Sequence, residues 1–348
     1  MKKFQVATSH PYDVIIGSDI IKNTGEYVKA ISDPCKVCVI TDSTVNGIYS
    51  QVVMTSLMEA GFQTSKIVFP AGEHSKNMAT YVNILEALAS EGLSRFDCLV
   101  SLGGGVVSDL TGFIASTYMR GIRYIQIPTT LLSAVDASVG GKTSINLMSG
   151  KNLAGTFWQP SLVISDYKTF DSLEEEKLRD GFAEAIKSAV IYDKRLISHI
   201  LKRDYEYIIE RCISVKKSLI EVDERDLGLR QLLSFGHTVG HGIEKLTSFA
   251  VSHGQAIAKG MIAESRAAYK MGLTKEDISP KIAEVLETFG FDTSLNYPVQ
   301  DMIKLTSTDK KIKGDKITII VPETLGKCVL YKLPLSEIGT YITKCLEA

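Results

Sequence analysis

Half of the chain's six histidines fall in one stretch, SFGHTVGHGIEKLTSFAVSHGQ, at His237, His241 and His253. Neutral imidazole is a common ligand for zinc and similar cations, and three protein ligands leave a position open for a substrate atom. His237 and His241 are four residues apart, so a helix over GHTVGHGIEKL projects both from one face, and spacing alone makes them the metal pair. His253 follows on a turn, HGQ, ahead of a second helix, AIAKGMIAESRAAYKMG. A carboxylate can complete such a set. Glu184 is a candidate, because GFAEAIKSAVI reads as a small-residue apolar helix in which Lys187, three residues on, shares its face. A surface ion pair accounts for Glu184 and Lys187 equally well, and a core or capping role is the alternative for the histidines.

A second group of residues suits phosphate. CLVSLGGGVVSDLTGF places Gly103, Gly104 and Gly105 between a strand-like and a helix-like run, where the backbone can approach a ligand and the helix start favours an anion. The spacing is not the G-x-G-x-x-G fingerprint, and such turns also serve packing alone. Asp42 ends an earlier strand-like run, where it can accept from ribose hydroxyls or act as an ordinary turn residue. RGIRYIQIPTTLLSAVDASVGGKTSINLMSGKNLAGTFWQP gathers Arg120, Asp136, Lys142, Lys151 and Asn152 among small residues, a composition that presents charges on closely approaching loops. Its Gly-Gly-Lys-Thr is not a nucleotide-triphosphate loop, since Asp136 stands where that motif needs glycine. Lysines there can still neutralise phosphate, with solvated surface positions as the alternative.

Positioning these groups takes two kinds of layer. KVCVITD, KIVFPA, CLVSLGG and YIQIPTT are short apolar runs that alternate with VVMTSLMEAGF, MATYVNILEALASEG and VSDLTGFIASTYM, which have helical length and spacing. That alternation predicts a parallel sheet with covering helices. From about Leu173 the runs become long and helical, as in EEEKLRDGFAEAIKSAVIYD, RLISHILKRDYEYIIERCISVKKSLIEVDE and SPKIAEVLETFG, with DKITIIVPETLGKCVLYKL as a small hairpin. A length of 348 residues fits two lobes with a cleft. With 39 basic against 40 acidic residues there is no global field for nucleic acid or anionic lipid. No run reaches the roughly 20 apolar residues a membrane span needs, and MKKFQVATSH lacks a signal-peptide core, so a cytoplasmic protein is expected. The six cysteines are scattered, and the C-x-x-C at Cys35 and Cys38 enters a strand-like run, so free thiols are expected.

In order from about residue 70 to 320, the segments PAGEHSK, GGGVVSDLTGF, RGIRYIQIPTTLLSAVDASVGGKTSIN, GKNLAGTF, GFAEAIK, LLSFGHTVGHGIE, SHGQAIAKGM and DKKIKGDKI resemble the 3-dehydroquinate synthase family. The wider sugar-phosphate cyclases share many of these segments, and glycerol dehydrogenases share the two-lobed architecture. The resemblance implies an α/β fold: a Rossmann-like parallel-sheet domain that binds NAD over residues 1–172, and a mainly α-helical domain that binds metal and substrate over residues 173–348. Around NAD it implies Asp42, Glu73, Lys76, Gly105, Val106, Val107, Ser108, Asp109, Thr129, Thr130, Lys142, Lys151, Thr169, Phe170, Asp171 and Ser172. It implies one divalent metal ion, Zn2+ or Co2+, on Glu184, His237 and His253, which displaces the helical pair and gives His241 a substrate-side or proton-handling role. Asp136, Lys142, Asn152, Lys187, Lys216, Arg230 and His241 are implied to line the substrate site with one of Lys310 and Lys311, and Arg120 to reach across a homodimer interface.

The implied reaction converts 3-deoxy-D-arabino-heptulosonate 7-phosphate to 3-dehydroquinate and phosphate, in the shikimate pathway. It proceeds by transient oxidation with NAD, phosphate elimination, re-reduction, ring opening and aldol closure. An inosose- or valiolone-forming cyclase and a glycerol-type dehydrogenase are the alternatives. Three residues depart from the family pattern. Ser108 replaces a usual glycine, implying a bulkier phosphate loop; Ser234 replaces an asparagine near the substrate; Gln255 replaces a frequent glutamate, implying one charge fewer around the metal. Arg230 is retained and offers a bidentate partner for a substrate carboxylate, which favours the heptulosonate.

Overall fold

A computed structural model gives the fold and describes residues 1–306 and 312–347. Lys310 and Lys311 lie outside the described residues. The chain divides into two compact units, Met1–Leu173 and Glu174–Ala348.

The first unit runs β1 (Lys2–Val6), β2 (Tyr12–Gly17), α1 (Thr24–Lys29), β3 (Lys36–Asp42), α2 (Ser43–Glu59), β4 (Gln63–Phe69), α3 (Met78–Ser90), β5 (Cys98–Gly103), α4 (Gly105–Thr117), β6 (Arg123–Pro128), β7 (Lys142–Leu147), β8 (Gly150–Phe157) and β9 (Leu162–Asp166). Seven of these strands form one sheet in the order β1-β2-β9-β6-β5-β3-β4, parallel except for the β1–β2 pair. The apolar runs are covered on both faces, as a parallel sheet requires. Val37, Val39, Val100 and Leu102 pack with Val28 of α1 and with Val53 and Leu57 of α2. Cys38, Ile40 and Leu99 turn the other way, toward Ile84 and Leu88 of α3 and Leu110 and Ile114 of α4. The cysteines are free thiols.

Strand β3 lies between β4 and β5, so the winding direction reverses there. Open α/β sheets bind ligands outside the carboxyl ends of the strands at such a switch point. Asp42 ends β3 and Gly103 ends the adjacent β5.

One expectation fails in this unit. Within the segment read as closely approaching loops, residues 142–157 are an antiparallel hairpin, β7 with β8. The β-branched Thr143 and Ile145 face inward and are buried, and Gly155 lets the strands meet, since a Cβ there would lie 2.0 Å from the Thr143 carbonyl oxygen.

The second unit contains α5 (Glu175–Ile191), α6 (Leu196–Leu201), α7 (Tyr205–Ile220), α8 (His237–Leu246), α9 (His253–Lys270), α10 (Ser279–Thr288), α11 (Val299–Thr306), β10 (Ile312–Lys313), β11 (Lys316–Thr324), β12 (Lys327–Pro334) and α12 (Ile338–Leu346). The long helical run from Arg195 is broken between α6 and α7, where Arg203 takes φ 53 and Asp204 caps the new helix. The C-terminal hairpin is β11–β12, with β10 on its edge. Among the described residues no helix is long and apolar enough to cross a membrane.

Candidate active site

At the switch point Asp42 caps α2, its Oδ1 accepting from the N–H groups of Thr44 and Val45 at 2.9 and 3.0 Å. The next strand end leads into α4, whose N-cap is Gly104 and whose start carries no side-chain cap. A Cβ on Gly103 would lie 2.4 Å from Val107 Cγ2, and one on Gly104 3.0 Å from Thr130 Cγ2. Glycine is therefore what lets this turn close, and Gly105, Val106, Val107, Ser108 and Asp109 open the helix behind it. Ser108 is 1% exposed with its Oγ 3.1 Å from Ser133 Oγ, so it does not make the loop surface bulkier, as its departure from glycine had implied. Thr129 donates its N–H to the Gly103 carbonyl at 3.0 Å, and its buried Oγ1 has no hydrogen-bond partner among the described residues. Thr130 Oγ1 accepts from Ser133 N–H at 3.2 Å. Thr169, Phe170, Asp171 and Ser172 lie on the 3-10 turn after β9. Tyr49 of α2 donates to the Thr169 carbonyl at 3.0 Å and contacts Ser172 Oγ at 2.7 Å, while Phe170 is buried and Asp171 pairs with Lys168 at the surface.

A polar network joins the hairpin to the helices. Lys76, only 4% exposed, donates to Asp109 Oδ2 at 2.5 Å and to Asn152 Oδ1 at 2.6 Å. Ser144 Oγ reaches the same Asn152 oxygen at 3.0 Å. Asn146 donates to Glu73 Oε1 at 2.7 Å and accepts from the Asn152 N–H at 2.9 Å, holding Asn152 at φ 56. Glu73, Lys76, Asp109 and Asn152 are thus brought together. Ser144 and Asn146 were missed, although the alternation of KTSIN puts them on the same strand face as Lys142. Lys151 is on β8, Asp136 is half-buried in the turn Ser133–Ala137, and Arg120 is exposed on a turn where it and Met119 both take positive φ, 63 and 52.

In the second unit Glu184 of α5 is 1% exposed, and Lys187, 2% exposed, is ion-paired with its Oε2. Its Oε1 faces His237 Nε2 at 3.8 Å and His253 Nε2 at 3.6 Å. One donor atom from each of the three residues lies within 4.8 Å of the other two. A tetrahedral cation with bonds of about 2.1 Å sets its ligand atoms roughly 3.4 Å apart, so this set of two imidazoles and one carboxylate fits a first-row divalent metal with little adjustment. His241, the partner chosen by spacing alone, does share a helix face with His237, the rings being 5.2 Å apart. Its Nε2 lies 4.0 Å from Glu244 Oε2, and it is His253 that joins the cluster.

Both clustered histidines are the first residues of helices, α8 and α9; the turn expected at His253 is already helix. His237 Nδ1 donates to the Phe235 carbonyl at 3.0 Å, which leaves Nε2 as the lone-pair nitrogen facing Glu184. Burial, followed by the nearby Lys187 cation, holds His237 well below its usual pKa and keeps it neutral. Burial also opposes charge on His253, yet the Glu184 and Glu244 carboxylates outweigh it and raise that ring to about 10. A cation beside these carboxylates takes the place of that proton. Glu244 Oε1 stands 3.4 Å from His253 Nδ1, the outer-partner arrangement common behind ligating histidines. Glu264 of α9, fully buried, caps the start of α8 by accepting from Gly236 and Val239 N–H at 3.0 and 3.1 Å. Sequence reasoning missed both acids. Glu244 was findable, seven residues after His237 on the same helical face.

Gln255 corrects another expectation. Its amide donates to the Asp292 carbonyl at 2.7 Å and accepts from the Asp292 N–H at 3.1 Å, so it holds a loop instead of altering the charge around the donors. Lys216 of α7 is 7% exposed, and Ser234 is half-buried at the end of the 3-10 turn Leu229–Ser234. Arg230 on that turn is 1% exposed and donates to the Glu224 carbonyl at 2.6 Å; Asp223 accepts from Gly228 and Arg230 N–H and pins the turn.

Known proteins match this chain along its whole length. Residues 66–180 match the family described as 3-dehydroquinate synthase N-terminal, and residues 181–312 the one described as 3-dehydroquinate synthase C-terminal. The 3-dehydroquinate synthase of Enterococcus faecalis is 40% identical over an alignment of 354 positions, covering 99% of both chains. That of Streptococcus thermophilus is also 40% identical, covering 96% of this chain and 98% of the relative. Among solved structures, a 2-deoxy-scyllo-inosose synthase complexed with carbaglucose-6-phosphate, NAD+ and Co2+ has a TM-score of 0.88 at 24% identity, covering 98% of this chain and 99% of that one. A 2-epi-5-epi-valiolone synthase from Streptomyces hygroscopicus with NAD+ and Zn2+ bound scores 0.86 at 24% identity, covering 96% of each. The structural likenesses establish the shared fold, and the end-to-end identity to the curated relatives goes further: this chain belongs to the 3-dehydroquinate synthase family.

Proposed function

We propose that the protein is a phosphate-eliminating carbon–oxygen lyase that converts 3-deoxy-D-arabino-heptulosonate 7-phosphate to 3-dehydroquinate, using NAD and one divalent cation, Zn2+ or Co2+. The carrying observation is the Glu184, His237 and His253 donor cluster, with Arg230 buried in the same unit, in a chain matched end to end by 3-dehydroquinate synthases. When bound, NAD reversibly removes hydride from one substrate alcohol, and the cation stabilises the oxygen that loses its proton there.

The chain's own residues supply position and charge. His237 presents a neutral nitrogen, and Lys187 is ion-paired with Glu184. Arg230 is assigned to the substrate carboxylate, which its planar guanidinium suits. His241, on the His237 face of α8, is assigned to proton handling. Lys187, Lys216, Asp136, Lys142 and Asn152 are also assigned to the substrate. The uncapped start of α4, with Asp42, Glu73, Lys76, Thr129, Thr130, Lys151 and the 169–172 turn, is assigned to NAD; the switch-point placement supports this. We further assign the protein to the cytoplasm as a homodimer. Arg120 contributes across the interface, and its left-handed backbone supports a functional role.

The test is incubation with the heptulosonate phosphate, NAD and zinc, followed by identification of the product, with glucose 6-phosphate in parallel. Phosphate release from the heptulosonate with no build-up of NADH is expected. Activity on glucose 6-phosphate alone, or NADH accumulating in step with product, would overturn the assignment.

A further inference from the structure

On the metal-dependent reading above, we infer that Asp180 is a positioning residue that seats His253 in the donor cluster and so sets cation affinity. Asp180 stands one turn before Glu184 on α5, so both carboxylates project from one face of that helix. Its Oδ1 accepts from Ser252 Oγ at 2.6 Å and from the Gly254 N–H at 3.0 Å. Ser252 is the N-cap of α9, and His253 is its first residue. Asp180 therefore clamps the residues on either side of the histidine, satisfying one of the donors a helix start leaves unmet. The contact is close: a Cβ on Gly254 would lie 2.4 Å from Asp180 Cα and 2.9 Å from its carbonyl oxygen. Only glycine lets α9 begin against α5 here.

The other restraints on the ring are looser. The connection into α9 passes through Ser248 and Phe249 at φ 50 and 62, a conformation that L-residues adopt reluctantly. Glu244 stands 3.4 Å from His253 Nδ1, long for a hydrogen bond. The 3.6 Å between Glu184 Oε1 and His253 Nε2 is thus a helix-to-helix distance. One helix supplies the acid and, a turn earlier, the clamp for the imidazole.

The test uses full-length, metal-stripped protein and Co2+ alone, followed by calorimetric titration and by the visible absorption of the bound ion. Asp180→Ala should weaken Co2+ binding about 10- to 100-fold, the range for lost outer partners of ligating histidines, and alter the absorption bands. Asp180→Asn keeps an oxygen that can accept both bonds and should restore near wild-type affinity. Ser252→Ala removes one of the two bonds to Asp180, together with the cap on the Gln255 N–H, and should shift affinity in the same direction by less because the Gly254 bond to Asp180 remains, which gives a readout should Asp180→Ala fail to fold. Asp193→Ala, which breaks the ion pairs of Asp193 with Arg195 and Arg211 elsewhere in the unit, should lower stability and leave Co2+ affinity unchanged. The inference is overturned if Asp180→Ala binds Co2+ as tightly as wild type, if Asp180→Asn fails to rescue, or if Asp193→Ala weakens binding equally. Absence of saturable Co2+ binding by the wild-type protein would instead sink the metal-dependent reading itself.

Discussion

Glu264→Gln is a change of one oxygen to one amide nitrogen, and the geometry around it makes the effect large. Both carboxylate oxygens are in use, Oε2 by the Gly236 N–H and Oε1 by the Val239 N–H, and the residue is 0% exposed. A glutamine can accept from only one of them and turns an N–H toward the other. A hydrogen bond to a charged group contributes about 1.5–3 kcal/mol, and a buried donor left unmet costs about 1–3 kcal/mol, so a net loss of about 3 kcal/mol is expected. At roughly 2–4 °C per kcal/mol for a body of 150–250 residues, this lowers the melting temperature of the second unit by about 6–12 °C. Calorimetry or circular dichroism on wild type and variant measures it. His237 is the first residue of the helix being capped, so Zn2+ or Co2+ affinity should fall as well. A variant melting within about 1 °C of wild type would refute the capping argument, because that shift is below the smallest effect these bonds allow.

His237→Ala or His253→Ala should lower metal content and activity together, by more than the 10- to 100-fold typical of outer partners, whereas His241→Ala should keep the metal and lose turnover; metal analysis of the three variants decides. Gln255→Glu should remove the donor to the Asp292 carbonyl and destabilise the protein by about 1–2 kcal/mol with metal content unchanged, measurable by urea unfolding and metal analysis. Asp193 is held down to about 2 by the Arg195 guanidinium, with Arg211 adding to it. Its folded-state pKa is depressed, so this stabilisation is fully present above about pH 4 and is lost as pH falls toward the folded value. Asp193 is 6% exposed but its Arg195 partner is largely solvated, so the contribution is discounted to about 1–2 kcal/mol. Urea unfolding of wild type and Asp193→Asn should show a gap that narrows between about pH 4 and pH 2, and a gap independent of pH would refute the linkage.

Residues with a strong local pattern were the ones that could be read without coordinates. KVCVITD is β3 residue for residue, because a strand buried on both faces needs an unbroken apolar run. GGG sits at the turn into α4, where a Cβ on Gly103 or Gly104 would crowd Val107 or Thr130. The donor cluster was harder, since the i,i+4 spacing of His237 and His241 speaks only for a shared face, while the 3.6 Å approach of His253 to Glu184 depends on how α5 and α9 pack. The β7–β8 hairpin hid behind its glycines, which resemble loop residues until strand pairing shows Gly155 under the Thr143 carbonyl. Gln255 and Ser108 looked like changes to the site because their neighbours in sequence belong to it. Their side chains instead point at the Asp292 backbone and at Ser133, directions that helical rotation decides and adjacency does not.

The start of α9 rests on Asp180 and that of α8 on Glu264, while the N–H groups of residues 248–250 bond back to the end of α8, so neither helix start takes its anchor from the connection. That connection is accordingly a place to splice in a dye-labelling tag or a few extra residues. An insertion there lengthens a tether between two anchored posts and leaves the spacing of the imidazoles alone.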